Sequence, residues 1–133
     1  MHTVVRLPEA DPAGVLFFGN YFRLVHDSYE SFMESIGFGL PQMLRDGDYL
    51  LVIAHAEADY VKPVRFGEKI DVSLRVEHIG GSSFVLSYAV MDADGVTAAT
   101  LKTIHVAIDK ANWTRIKLPP KLKEKFEQLK SSQ

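Results

Sequence analysis

Residues 11–36 read DPAGVLFFGNYFRLVHDSYESFMESI: a carboxylate and a turn, then one long amphipathic stretch. From Phe18 to Ile36 the side chains of Phe18, Phe22, Val25, Tyr29, Phe32, Met33 and Ile36 recur every three or four residues. That spacing puts them on one face of a helix. Tyr21 and Leu24 widen the apolar arc, and Arg23, Asp27, Glu30 and Glu34 share the opposite side. His26 falls at the edge of the apolar face, where a core or interface histidine is expected. Gly37 and Gly39 end the helix, and Pro41 prevents its continuation. A helix so rich in aromatics needs a broad surface to bury against, and a curved sheet supplies one.

Asp11 has two readings. Asp and Pro are common turn formers, so the pair Asp11-Pro12 reads as a capped turn. A carboxylate just ahead of a helix N-terminus also lies near backbone N–H groups that have no intrahelical partner. Such donors hold an oxyanion while the carboxylate attacks a carbonyl or activates water.

Outward from this stretch the pattern is mostly strand. Residues 2–7 read as a first strand ended by Pro8. Residues 40–48 form an irregular or helical connector closed by Asp46-Gly47-Asp48. Residues 49–61 are a long, largely apolar run with period-two character. Alternation places His55, Glu57 and Asp59 on one of its faces, opposite Ala54, Ala56, Ala58 and Tyr60. In 70–77, Ile70, Val72, Leu74 and Val76 alternate with Asp71, Ser73, Arg75 and Glu77, the mark of a half-buried strand. Gly80-Gly81-Ser82 turns the chain into a strand over 83–91, and Asp92-Ala93-Asp94-Gly95 turns it again into 96–108. Residues 121–130 read as a short charged helix after Pro119-Pro120. One long helix with an antiparallel sheet of about five strands is an α+β arrangement.

The chain has 133 residues, 47% hydrophobic and 24% charged, which suits a single domain over 1–133 with residues 119–133 as helix and tail. A net charge of −2 gives no electrostatic reason to expect nucleic acid. The absence of cysteine excludes disulfides, thiolate catalysis and cysteine-based metal sites. No apolar run approaches a membrane span, and the start of the chain lacks the basic and apolar regions of a signal peptide, so a cytoplasmic protein is expected.

A strand, an Asp-containing loop, a long helix and then hairpin-linked strands is the layout of the hotdog fold. The chain resembles the 4-hydroxybenzoyl-CoA thioesterase family of hotdog acyl-CoA thioesterases. The resemblance is carried by Asp11-Pro12-Ala13-Gly14-Val15 to Asn20-Tyr21, by Asp59-Tyr60 with Pro63 and Gly67, and by Thr103-Ile104-His105-Val106. Within the family it is similar to the 1,4-dihydroxy-2-naphthoyl-CoA thioesterases of phylloquinone and menaquinone synthesis. The segments are His26-Asp27-Ser28-Tyr29-Glu30-Ser31, Gly47-Asp48-Tyr49 and His55-Ala56-Glu57-Ala58-Asp59-Tyr60.

The resemblance implies hydrolysis of an aromatic acyl-CoA thioester with no cofactor and no metal. It makes Asp11 the catalytic nucleophile or general base and gives the oxyanion to the N–H of Phe18, with Gly14 and Val15 shaping the approach. It also implies a homo-oligomer, a dimer of dimers, in which His55 or Glu57 of a neighbouring subunit lines the aryl pocket. His55, Glu57 and Asp59 also admit readings as a solvated or subunit-facing surface or as metal ligands. The nucleotide end of CoA calls for cations, for which Lys62, Arg65, Arg75 and Lys102 are candidates, and Gly81 and Ser82 offer backbone N–H groups to phosphate. The basic cluster that the 4-hydroxybenzoyl enzyme carries near Gly80–Ser83 is absent here. His105 reads as structural. Two other functions stay open: hydrolysis of short or medium aliphatic acyl-CoA, and a non-catalytic acyl-binding module.

Overall fold

The amphipathic stretch forms α1 (Asn20–Ser35). It belongs to a computed structural model that describes residues 1–4, 19–65 and 67–133. Tyr21, Leu24, Val25, Ser28, Tyr29 and Met33 are its buried residues, while Phe22, Phe32 and Ile36 are only partly buried. The buried face is therefore centred closer to Tyr21, Leu24 and Ser28 than the spacing of the largest apolar residues predicts. Arg23, Asp27, Glu30 and Glu34 are exposed, as expected. The helix ends as its glycines dictate. Gly37 takes φ +87°, a value that favours glycine, and lets the Phe38 N–H reach back to the Met33 carbonyl at 2.8 Å.

The connector becomes a second helix, α2 (Leu40–Asp46). Lys110 Nζ donates to the Leu44 and Gly47 carbonyls, a cation where the helix leaves its carbonyls unpaired. The helix predicted after Pro119-Pro120 is α3 (Pro120–Ser131), so the described residues hold three helices. The expectation of one long helix against the sheet is corrected to that extent.

The strands are β1 (His2–Val4), β2 (Tyr49–Tyr60), β3 (Lys69–Ile79), β4 (Ser83–Met91) and β5 (Thr97–Asp109). They form one antiparallel sheet in the order β1-β3-β4-β5-β2, so β2 lies at an edge. Of the strand predicted over 2–7, residues 2–4 are described as strand and the rest lie outside the described residues.

Directly paired residues of antiparallel strands project to the same face. The row Ala58, Leu101, Tyr88, Leu74 and the row Ala56, Thr103, Leu86, Val76 define the inner face, on which the buried residues of α1 pack. The row Glu57, Lys102, Ser87, Arg75 and the row Asp59, Thr100, Ala89, Ser73 define the outer face. The pairing shifts between Ile53 and His55, so Ala54 is an extra residue rather than a member of the alternating series. A second shift, between Val76 and His78, bends β3.

α3 closes the core beside the C-terminal end of α1. The Phe126 ring lies 4.5 Å from Phe84 and 6.3 Å from Phe32, and Leu122 and Phe126 are fully buried. Beyond α3, the Gln133 side chain accepts from the Val76 N–H at 2.7 Å and donates to its carbonyl at 2.9 Å. Those groups lie past the stretch of β3 that β1 pairs, where an unpartnered edge would otherwise need water.

Candidate active site

Asp11, Gly14, Val15 and Phe18 lie outside the described residues, and the helix that succeeds them in the chain frames the chemistry. α1 starts directly after Gly19, which has no side chain to cap the first turn, and that turn holds no acidic residue. The positive end of the helix is therefore not neutralised by its own first-turn side chains. Tyr21, in that turn, packs its ring 5.1 Å from the Tyr60 ring at the end of β2. Burial, then Tyr60 and Glu68, raise the Tyr21 phenol above its ordinary value, so it stays a neutral wall of the region.

His55 and Glu57 form a loose pair, Nε2 to Oε1 3.7 Å, and each side chain is 56% exposed. Both project from the outer face, away from α1. Asp59 shares that face, so the predicted grouping of the three holds. Their expected place beside the helix within one protomer does not, because the pleat sends Ala56, Ala58 and Tyr60 to the helix side instead. Glu57 and Asp59 border a shallow outer pocket of about 240 Å³ with Arg75 and Lys102. Among the described residues no group of three His, Cys, Asp or Glu side chains is placed to hold a metal, which removes the metal reading of His55, Glu57 and Asp59.

Two of the candidate cations have acidic partners. Lys62 Nζ is bound to Asp92, a carboxylate only 3% exposed. Lys102 Nζ donates to Glu77 Oε1 at 2.8 Å. Arg65 is exposed and its backbone N–H donates to Glu68 Oε2 at 3.0 Å. Gly81 and Ser82 sit in the β3–β4 turn, where their carbonyls accept from Leu118 and Ala107. Gly81 also borders an open groove of about 690 Å³ with Tyr49, Lys117 and Lys123. The fold thus brings lysines from the C-terminal segment to the turn that lacks basic residues of its own. Only tertiary structure reveals this, since Lys117 and Gly81 are far apart in sequence.

His26 is corrected from a core residue to an exposed one: its side chain is 46% exposed and its Nε2 lies 3.0 Å from Glu30 Oε1. The buried histidine is His105, fully enclosed, stacked 4.7 Å from Phe84 and 4.4 Å from Tyr29. Its Nε2 joins Thr103 Oγ1 at 2.8 Å, and Thr103 joins the Tyr88 hydroxyl at 2.9 Å. Burial first, and the nearby His26 second, lower its pKa from 6.5 to about 4. It is a neutral member of the core, which agrees with its structural reading.

This architecture is found in known proteins. The family model described as the thioesterase-like superfamily matches residues 5–126. The chain belongs to that superfamily and has its hotdog fold. It is 30% identical over 122 residues to a 1,4-dihydroxy-2-naphthoyl-CoA hydrolase of Synechococcus elongatus, covering 91% of this chain and 89% of the relative. It is 31% identical to a hydrolase of the same name from Nostoc punctiforme, covering 89% and 79%. The crystal structure of a 1,4-dihydroxy-2-naphthoyl-CoA thioesterase from Synechocystis superposes with a TM-score of 0.90 at 26% identity, covering 97% of this chain and 95% of that one.

Proposed function

We propose that this chain hydrolyses an aromatic acyl-CoA thioester, with 1,4-dihydroxy-2-naphthoyl-CoA as its substrate in phylloquinone or menaquinone synthesis. The observation that carries the reading is the near-full-length likeness to the Synechococcus and Nostoc hydrolases, together with Asp11-Pro12-Ala13-Gly14 directly ahead of α1. Asp11 either attacks the thioester carbonyl or takes a proton from the water that does. The backbone N–H of Phe18 receives the oxyanion. Collapse of the tetrahedral species breaks the C–S bond, releasing CoA thiolate, and water supplies the oxygen of the free acid. Gly14 and Val15 bound the approach to the carbonyl.

Among the CoA contacts, Lys62 is held by Asp92. The groove at Gly81 and Ser82, with Lys117 and Lys123, offers cations and N–H groups to phosphate, and Arg65 is a further candidate. The active unit is at least a dimer, and a dimer of dimers accounts for both free surfaces of the sheet. β2 is a twelve-residue edge strand with Ile53 and Tyr60 exposed, a template for pairing with a second copy. Because His55 and Glu57 face outward, they reach an aryl group only where a neighbouring protomer brings its own site against that face. The protein works in the cytoplasm as a single domain; among the described residues no helix is long and apolar enough to cross a membrane.

The test is a hydrolysis panel with Asp11→Asn as the control. Wild type should favour 1,4-dihydroxy-2-naphthoyl-CoA over hexanoyl- and palmitoyl-CoA by at least about 100-fold in kcat/KM. Asp11→Asn should lose at least about 100-fold in kcat, the ordinary size of acid–base catalysis. A preference for aliphatic thioesters would transfer the assignment to that class. An active Asp11→Asn enzyme would remove Asp11 from the chemistry.

A further inference from the structure

With the thioester at the N-terminus of α1, the proposed function on which this reading rests, the acyl group needs a path leading away from that end. The inner face of β2 supplies one. Ile53, Ala56, Ala58 and Tyr60 lie across from His105, Thr103, Leu101 and Ala99 of β5 in the register of the sheet. Those four β5 residues are each at most 4% exposed, whereas Ile53 is 47% and Tyr60 45% exposed. The cover of α1 therefore stops between β5 and β2, leaving an apolar ledge beside the helix.

The two ends of this ledge differ chemically. At the first turn of α1, Tyr21 meets Tyr60, ring against ring. One to two turns further on, a chain of rings fixes the other end. His26 is 5.9 Å from Tyr29, Tyr29 is 4.4 Å from His105, and His105 lies across from Ile53. His26 and Glu30 thus stand on the flank of α1 that looks over the β5–β2 boundary. The helix rises about 9 Å from Asn20 to His26, close to the length of a two-ring aromatic group.

The His26–Glu30 pair is open to solvent at 46% and 54% exposure, with Nε2 to Oε1 at 3.0 Å. As an ordinary surface pair it would be worth little. Next to an apolar ledge its meaning changes. A ring lying on Ile53 and Ala56 would displace water from the pair, and the carboxylate and imidazole would then need a polar group on that ring. A phenolic hydroxyl donates to the one and exchanges hydrogen bonds with the other. A plain hydrocarbon ring leaves both poorly solvated, and a site built this way rejects the analogue lacking the hydroxyl. We infer that the His26–Glu30 pair reads a hydroxyl on the acyl ring, with the inner face of β2 as the floor of the pocket.

The experiment compares wild type with His26→Ala and Glu30→Gln on two thioesters, 1,4-dihydroxy-2-naphthoyl-CoA and 2-naphthoyl-CoA, which is the same ring system without hydroxyls. The readout is the ratio of their kcat/KM values. General damage to the fold or to turnover lowers both values and leaves the ratio in place, and thermal melts identify any variant that fails to fold. The ratio should fall by about fivefold or more in at least one folded variant, the scale of one hydrogen bond to a charged group. A smaller fall in both overturns the inference while leaving aryl-CoA hydrolysis standing. A wild-type enzyme that cleaves hexanoyl-CoA but neither naphthoyl thioester overturns the aryl reading, and the inference with it.

Discussion

Lys62 and Asp92 form an ion pair that ties the segment after β2 to the turn between β4 and β5. The other oxygen of Asp92 accepts the N–H groups of Asp94 at 3.0 Å and Val96 at 2.9 Å. One buried carboxylate therefore organises the turn and anchors a distant lysine. The Lys62 hydrogen bond, then the Val96 and Asp94 N–H groups, hold the Asp92 carboxyl below its usual range. The same bond raises Lys62. Asp92 thus stabilises the fold fully above the unfolded carboxylate range and loses that effect as pH falls through its depressed value. Lys62 contributes below its unfolded value and loses that effect as pH rises through its raised one. Asp92→Ala should lower Tm by more than Asp92→Asn, because Asn keeps an acceptor for the turn N–H groups. Equal Tm values for both variants and wild type would show that the pair contributes nothing.

His105 adds a second loss of stability in acid, centred at higher pH than that of Asp92. Its imidazole is neutral in the fold, with a pKa lowered from 6.5 to about 4. The unfolded chain binds the proton more readily, so stability is full above about 6.5 and falls as pH drops towards about 4. Urea unfolding should show about 2 kcal/mol less stability at about pH 5 than at about pH 7 from this group. His105→Gln, whatever its own cost, should flatten that part of the profile. An unchanged slope in the variant would assign the dependence to other groups.

Tyr29 Oη and His105 Nδ1 are buried without a hydrogen-bond partner among the described residues. Burial, with Tyr88 and Tyr49 nearby, pushes the Tyr29 phenol far above its ordinary value, so it is a neutral hydroxyl that has lost its water. Tyr29→Phe keeps the ring stacking and removes the orphan. Stability should be unchanged or greater by up to about 1 kcal/mol in chemical denaturation. A loss of more than about 1 kcal/mol would show that the hydroxyl has a partner.

Phe126 joins α3 to Phe84 of the sheet and Phe32 of α1 with no exposure to solvent. Phe126→Ala should cost about 3–5 kcal/mol, the range for deleting a buried aromatic ring. The measurement is again the denaturation midpoint. A loss under about 1 kcal/mol would make α3 an appendage rather than part of the core.

Much of this protein is legible in its sequence because periodicity is a local property. The alternation over 70–77 and 83–91 and the spacing over 18–36 report which side of each element meets the core. Gly37, Gly95 and the Asp92 turn report where elements stop, because the backbone conformation there is set by a few adjacent residues. The Asp11 segment carries the resemblance to thioesterases for a similar reason: its residues are contiguous.

What the sequence left undetermined depends on residues far apart in the chain. Periodicity showed that His55, Glu57 and Asp59 share a face, but only the pairing of β2 with β5 decided that this is the outer one. Charge counting offered Lys62 to CoA, but the fold gave it to Asp92, thirty residues away. Helical spacing put His26 near the apolar arc, and the position of α1 over the sheet left it exposed beside β2. The physical reason is common to all three. A side chain's face follows from its neighbours in sequence, whereas its partner and its burial follow from which elements the folded chain sets against it.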